Sequence, residues 1–384
     1  MDEHFAEQFP LSPADDYLIH QTPDPIRVMW SSDPRAYDRY WTVFHDDGGE
    51  LIVATGGSFY PNLDLAEAYA IVNYRGDHRS VRGFRRLGAD RMDMWCGPIR
   101  PTIVQGMRLW QYVLADNEWG ITYDVQFHDT TRQIFREPAG SYSTTWPPGR
   151  RPDVTTGFEG FGEVEGWVQV DGTRIELTRE SCRGTRDRHW GVGRSVGGPA
   201  NEVPGPSGPL SGKLGPSGAP KSFGFSGNNF VAFAEYAIWG DRIFYRFGDP
   251  RPGMGRIAQT RRRLRFEPDT HVFVEGVLDY TLTSGDVRRV HYERIAHQTA
   301  YMRCGMYGGT PDKNIHQGTY VGDNVVEGDR HDVTDPAARI HLAGLDEHQC
   351  RVTCEGETVV GIYQPIDPDA YHACLEGREG WSFL

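Results

Sequence analysis

The sequence predicts a mainly β fold of the sandwich or barrel type, and three observations support this prediction. Apolar and polar residues alternate along many short segments of the chain. Turn signals rich in Gly, Asp and Ser separate these segments roughly every ten residues. Long amphipathic helical patterns are few, so helices are expected to be minor elements.

Individual hairpins can be predicted from this alternation. In the clearest one, residues 163–170 (EVEGWVQV) alternate with a period of two, the turn Asp171-Gly172 follows, and residues 174–177 alternate again. The same pattern predicts two further hairpins: Val231 to Trp239 with Arg242 to Phe247 across Gly240-Asp241, and Leu278 to Leu282 with Val287 to Tyr292 across Ser284-Gly285.

A chain of 384 residues is long enough for two domains, each with its own core. We place the boundary near residue 180, which gives an amino-terminal β domain at 1–180 and a carboxy-terminal one at 181–384. Gly, Pro and Ser dominate residues 197–220, which predicts a loop or linker. This loop is either a lid over a site or a solvated spacer.

Composition excludes several partners. The net charge of −13, with no basic block, argues against nucleic acid and anionic membranes. No apolar run approaches the length of a membrane span, and the acidic start lacks a secretory signal, so a cytoplasmic location is expected. The six scattered cysteines are expected to be thiols in the core. The fourteen histidines show no spacing typical of a metal site, so no metal is expected.

The most informative segment is residues 184–191, GTRDRHWG, which holds an acid, an imidazole, two guanidinium groups and an indole between glycines. Such a set is typical of a catalytic site. The same residues are equally consistent with a structural ion pair beside a core tryptophan.

The sequence resembles a known family at several motifs besides GTRDRHWG: DYLIHQTP at 16–23, SDP at 32–34, FYPN at 59–62, YGG at 307–309 and HQG at 316–318. Together these motifs resemble bacterial relatives of carotenoid 1,2-hydratase, over nearly the whole chain. The wider group includes kievitone hydratase and AttH-like proteins. The resemblance implies two consecutive lipocalin-like β domains and no metal or organic cofactor.

The carotenoid hydratases carry the motif Asp-His-x-Trp-Gly, and Asp187, Trp190 and Gly191 keep its spacing. Arg188 stands where the motif has histidine, and His189 follows one residue later, on the opposite face of a strand. The resemblance therefore implies a role for Asp187 and Trp190 in the site.

Acid/base chemistry at such a site needs a group that exchanges protons and a surface that stabilises a transient cation. Asp187 is the first candidate for proton transfer, with His189, Glu235 and Tyr236 as further catalytic candidates. Alternation along a strand directs the arginines at 186 and 188 away from Asp187. The candidates for contact with substrate are Trp190, His20, Arg186 and Tyr60.

Two functions remain open at this point. The first is a cofactor-independent hydratase, dehydratase or double-bond isomerase that acts on a hydrophobic, terpenoid-like or polyketide-like molecule. The alternative is a lipocalin-like carrier of an apolar ligand, in which residues 184–191 join the two domains as a structural clasp. The identity of the substrate, the direction of the reaction and a homodimeric state are not specified by the sequence.

Overall fold

A computed structural model describes residues 13–16, 18–130, 134–139, 154–193, 196–197, 230–232, 236–239, 242–245, 255–270, 272–365 and 382–383. Antiparallel strands dominate these residues, as the alternation in the sequence predicts. Helical elements are one α-helix, α1 (Pro336–Leu342), and short 3₁₀ turns at Pro13–Asp16, Pro61–Leu63 and Met302–Gly305. None of these helices has the length and apolar character that a membrane span requires.

The first sheet curls into a half-barrel and, within the described residues, contains twelve strands. Its strands are β1 (Ala36–Asp46), β2 (Leu51–Tyr60), β3 (Leu65–Tyr74), β4 (Asp77–Arg86), β5 (Ile99–Gln105), β6 (Leu109–Leu114), β7 (Ile121–Asp129), β8 (Ile134–Ala139), β9 (Val154–Val170), β10 (Thr173–Leu177), β11 (Cys182–Val192) and β18 (Val325–Asp332).

The second half of the chain supplies the remaining strands. A three-stranded sheet is formed by β12 (Phe230–Ala232), β13 (Tyr236–Trp239) and β14 (Arg242–Tyr245). A six-stranded sheet is formed by β15 (Ile257–Phe266), β16 (Phe273–Leu282), β17 (Val287–Tyr301), β19 (Asp346–Cys354), β20 (Glu357–Tyr363) and β21 (Ser382–Phe383).

The predicted hairpins can be checked strand by strand. β9 pairs with β10 across Asp171-Gly172, and β16 pairs with β17 across Ser284-Gly285, which confirms two of them. β13 pairs with β14, which confirms the pairing predicted for the third hairpin, and its turn Gly240-Asp241 lies outside the described residues. The single strand predicted from Val231 to Trp239 is wrong, because β12 and β13 run antiparallel to each other within that range. Alternation alone does not reveal where a run of apolar residues reverses direction.

The first sheet contains strands from both sides of residue 180, where the domain boundary is predicted. β11 lies between β1 and β9 in the first sheet, and β18 from the second half pairs with β4. Such pairings join segments far apart in sequence, so local composition does not predict them. All of the loop predicted at 197–220 except Gly197 lies outside the described residues.

Two apolar clusters cover opposite faces of the first sheet. The inner cluster fills the half-barrel and includes Phe44, Val53 and Val125. The outer cluster lies between the first sheet and the second half of the chain, and it joins Val43 and Ile71 to residues such as Met302. Consequently β2 is buried along its whole length on both faces. A third cluster forms the core of the six-stranded sheet.

Candidate active site

The GTRDRHWG segment lies on β11, and strand alternation divides its side chains between the two faces of the first sheet. In the β11–β1 register Asp187 is opposite Trp41, and His189 is opposite Arg39. On the other side, Asp187 is opposite Glu159 of β9. Asp187, His189 and Glu159 therefore share the outer face, which the second half of the chain covers.

Three side chains on this outer face form a buried acid–imidazole–acid triad of Glu159, His189 and Asp187. His189 Nε2 lies 3.1 Å from Glu159 Oε1, and His189 Nδ1 lies 3.4 Å from Asp187 Oδ2. All three residues are buried: the exposed fraction is 0% for Glu159, 2% for His189 and 7% for Asp187. Only a protonated imidazole can donate to both carboxylates at once. The triad can thus hold a proton on His189 or pass it to either acid.

Glycines provide the space for this arrangement. The His189 ring lies directly over Gly157 of β9, where a Cβ atom would collide with His189 Cδ2 and with the Arg188 carbonyl. In the same way the Tyr69 ring lies over Gly56 of β2, so a Cβ there would meet the Tyr69 hydroxyl at 2.5 Å. Because Gly157 and Gly56 have no side chain, the neighbouring strands leave room for both rings at these positions.

Arg39 and Tyr307 extend the polar cluster beyond the triad. Arg39 Nη2 lies 3.9 Å from Asp187 Oδ2, and the guanidinium carbon lies 5.3 Å from the centroid of the Tyr307 ring. Burial alone would lower the pKa of Arg39, but the neighbouring Tyr307 and Asp187 raise it above the ordinary value. The Tyr307 hydroxyl also accepts a hydrogen bond from Tyr69 at 3.4 Å.

Glu67 of β3 is a second buried acid on the same face, 3% exposed. Burial raises its pKa to about 7, although hydrogen bonds from the Tyr60 hydroxyl and the Gly318 amide act in the opposite direction. The Tyr60 hydroxyl donates to Glu67 Oε1 at 2.5 Å, and Gly318 N donates to Oε2 at 3.0 Å. Sequence reasoning missed Glu67, yet an acid within the apolar run LAEAYAIV of β3 was a usable signal.

The second half of the chain brings another acid toward the triad. Glu347 of β19 is fully buried, and burial raises its pKa well above the ordinary value, with the charges of Asp346 and Asp187 adding to the rise. Gln364 donates a hydrogen bond to Glu347 Oε1. Among the described residues, Glu347 Oε2 has no hydrogen-bond partner. Burial therefore favours the protonated form of this carboxyl, which can donate a proton.

The inner face of β11 is different. Arg186 donates from Nε to both oxygens of Asp129, at 2.8 and 3.0 Å, and both side chains are fully buried. Arg188 pairs with Asp38 at 2.6 Å, and its guanidinium carbon lies 5.5 Å from the Trp110 ring centroid. The arginines therefore point away from Asp187, as alternation predicts.

A cavity of about 330 Å³ opens at the mouth of the half-barrel on this inner face. Its charged groups are two acids, Asp24 and Asp38, and two arginines, Arg91 and Arg188, and Arg91 lies 3.7 Å from Asp38. Most of the remaining lining is apolar. The segment that precedes β1 contributes Ile19, Pro25, Ile26, Val28, Met29 and Trp30, and later parts of the chain contribute Phe59, Met92, Met94 and Ile103. Cavities of this size hold small organic ligands.

The other sequence candidates are not near the triad or are not described. Trp190 is 36% exposed, contacts Phe158 edge-on at 6.4 Å and lies on the face opposite Asp187. His20 is exposed and lies 3.0 Å from Asp15. Glu235 lies outside the described residues, and Tyr236 begins β13 with its side chain outside them.

The triad has the donor atoms of a metal site, since its ligand atoms all lie within 4.8 Å of one another. Each imidazole nitrogen of His189 also lies beside a carboxylate oxygen, so the ring can exchange a proton with either acid.

Comparison with protein families gives one match, to the family of unknown function DUF8625 over residues 11–209. The chain belongs to this family. The match includes the triad, Arg39 and Glu67, whereas Tyr307 and Glu347 follow it in the chain. No curated protein sequence matches the chain significantly.

Solved structures similar to this DUF8625 member include AttH from Nitrosomonas europaea, with 11% identity, a TM-score of 0.44 and coverage of 90% of this chain and 98% of that one. Kievitone hydratase from Nectria haematococca has 10% identity, a TM-score of 0.35 and coverage of 93% and 97%. CghA has 11% identity, a TM-score of 0.40 and coverage of 86% and 87%. AttH and kievitone hydratase are members of the group that the sequence motifs resemble.

Proposed function

We propose that this DUF8625 protein is a cofactor-independent acid/base enzyme. It adds water to a carbon–carbon double bond, removes water to form one, or moves the bond within a hydrophobic, terpenoid-like or polyketide-like molecule. The observation that carries this proposal is the buried Glu159–His189–Asp187 triad, which faces the interface between the two halves of the chain. Buried titratable groups in such contact are typical of functional sites.

The proposed chemistry uses two groups with opposite roles. Asp187, beside Arg39 and His189, acts as the base, while Glu347, whose burial favours the protonated form, acts as the acid. In dehydration, Asp187 takes a proton from the carbon next to the hydroxyl-bearing carbon, the C–O bond breaks, and the hydroxyl leaves as water with the proton of Glu347.

Hydration is the reverse of these steps, and isomerisation uses the same pair to remove a proton from one carbon and deliver it to another. After dehydration Asp187 carries a proton and Glu347 lacks one. His189 accepts the proton of Asp187 at Nδ1 and shares one with Glu159 at Nε2, which returns Asp187 to its charged state. Transfer of that proton to Glu347 completes the cycle.

A structural clasp would have a different geometry. Arg186 and Asp129 show that geometry on the inner face, where one guanidinium nitrogen lies within 3.0 Å of both carboxylate oxygens. On the outer face, Arg39 Nη2 lies 3.9 Å from Asp187 Oδ2, beyond hydrogen-bond distance. This contrast favours a chemical role for Asp187.

The second candidate function is that of a carrier, and the cavity at the half-barrel mouth favours it. A mostly apolar lining with two arginines and two acids suits an apolar ligand with a polar end. In this function the triad would be structural, and ligand contact would occur on the inner face of β11.

Neighbouring residues on β11 allow one experiment to separate the two functions. The full chain is incubated with a lipid extract in deuterated buffer, and high-resolution mass spectrometry detects gain or loss of water or uptake of deuterium at carbon. We compare Asp187→Asn, on the outer face, with Arg188→Met, on the inner face. If the protein is an enzyme, product should form, and its rate of formation should fall by about 10²–10⁴-fold in Asp187→Asn and by less in Arg188→Met.

If the protein is a carrier, an unmodified ligand should co-purify with it. Arg188→Met should then weaken binding of that ligand, whereas Asp187→Asn should not. Product formation that survives Asp187→Asn unchanged would contradict the proposed enzyme. The melting temperature of each variant is measured in parallel. A large drop for Asp187→Asn with retained turnover would identify the triad as structural.

A further inference from the structure

A second cluster of potential ligands lies away from the triad. Cys304 belongs to the 3₁₀ turn Met302–Gly305, whereas Asp329 and His331 lie on β18. Their side-chain ligand atoms all lie within 4.8 Å of one another. A thiol, a carboxylate and an imidazole are thus brought together from two segments separated by more than twenty residues.

The imidazole of His331 offers this cluster an unoccupied donor atom. Its Nε2 atom is buried and has no hydrogen-bond partner among the described residues. A buried nitrogen without a partner costs free energy unless a ligand occupies it.

Hydrogen bonds from neighbouring groups hold the Asp329 carboxylate in place. Arg82 Nη1 donates to Asp329 Oδ2 at 2.6 Å, and the Ser80 hydroxyl donates to the same oxygen at 3.3 Å. Arg82 Nη1 further donates to the Cys304 carbonyl at 3.1 Å. These bonds use one carboxylate oxygen and leave Oδ1 for a cation, in the way that outer-shell partners orient metal ligands.

We propose that Cys304 Sγ, Asp329 Oδ1 and His331 Nε2 bind a zinc ion. Sulfur, imidazole nitrogen and carboxylate oxygen together suit Zn²⁺, whereas Ca²⁺ and Mg²⁺ prefer oxygen ligands. The Cys304 thiol loses its proton to solvent on binding, so thiolate and carboxylate together balance the charge of the ion. Three protein ligands leave the fourth tetrahedral position for water.

The site ties β18 to the rest of the second half of the chain. β18 pairs with β4 of the first sheet, and the Met302–Gly305 turn directly follows β17 of the six-stranded sheet. A zinc ion between them cross-links the two sheets, so the expected effect is on stability.

The test uses the full chain, stripped with a chelator and then titrated with ZnCl₂. We expect one equivalent of zinc by elemental mass spectrometry, release of a proton, and a rise of a few degrees in melting temperature. With CoCl₂ we expect a thiolate-to-cobalt charge-transfer band in the near ultraviolet. His331→Gln and Cys304→Ser should each weaken metal affinity by more than about 100-fold.

The matched control is Cys350→Ser, which removes an equally buried thiol from β19. This variant should retain zinc and the cobalt band. If Cys304→Ser does not fold, His331→Gln, a polar substitution on the half-buried β18, carries the test. Absence of zinc binding in the wild type, or binding unchanged in His331→Gln, would overturn the proposal.

Discussion

The two faces of β11 carry polar groups in different ways. On the inner face, Arg186 and Asp129 form a closed pair, in which both carboxylate oxygens accept hydrogen bonds from the guanidinium. On the outer face, His189 lies between two carboxylates at 3.1 and 3.4 Å, with Arg39 farther off. A closed pair can only hold structure together, whereas a loosely spaced acid–imidazole chain can also move a proton.

The largest effect on stability is expected for Arg186→Met. Removal of the guanidinium leaves Asp129 charged and buried without its partner, which costs about 3–5 kcal/mol of unfolding free energy. Urea denaturation of this variant and of Asp187→Asn gives the comparison, and Asp187→Asn should lose much less. Equal losses of unfolding free energy in the two variants would show that the polar groups on the two faces stabilise the fold in the same way.

The second prediction concerns pH and the outer face. The pKa of Glu67 is about 7 in the folded protein, above the ordinary value of 4.5 that applies in the unfolded chain. Between these pH values the folded protein binds a proton that the unfolded chain does not, so stability decreases as the pH rises from about 4.5 to 7 and then levels off. A shift of this size corresponds to roughly 3 kcal/mol.

Glu67→Gln, which stays neutral, should remove this part of the pH dependence. Denaturant midpoints measured at several pH values test it, with the exposed Glu118→Gln as control. A stability profile that is identical in wild type and Glu67→Gln would show that Glu67 is ionised throughout and does not hold a proton.

The third prediction tests the space under the imidazole. Gly157→Ala places a Cβ against His189 Cδ2 and the Arg188 carbonyl, so it should cost about 1–3 kcal/mol and displace the ring from Glu159. Turnover should fall together with stability. Gly106→Ala is the matched control, because no atom lies within 4 Å of its added Cβ. Unchanged stability and turnover in Gly157→Ala would mean that packing against Gly157 does not fix the position of the His189 ring.

The sequence predicted those parts of the fold that depend on neighbouring residues. The turns at Asp171-Gly172 and Ser284-Gly285 join paired strands, and alternation on β11 correctly separated Asp187 from Arg186. The period of two determines which face a residue occupies, and turn residues determine where a strand reverses. Both signals are local in the chain.

The partners of Asp187 depend on strand pairing over long sequence distances, and local patterns do not contain that information. Glu159 and Arg39 reach the triad because β9 and β1 flank β11. Glu347 approaches the triad from β19 of the six-stranded sheet. The sequence resemblance associated Trp190 with Asp187, yet their separation of three residues places them on opposite faces of one strand.

The smallest effect is expected for Trp190→Ala, which tests whether the inner-face end of the GTRDRHWG segment contributes to binding. Trp190 is 36% exposed and has an edge-on contact with Phe158, a type of contact worth about 0.5–1.5 kcal/mol beyond area burial. Unfolding free energy should therefore fall only slightly, and turnover by the outer-face triad should stay within several-fold of the wild type. If turnover instead collapses while stability holds, the substrate contacts the inner face, and the reaction centre has to be placed at the cavity beside Arg188 and Asp38 rather than at Asp187.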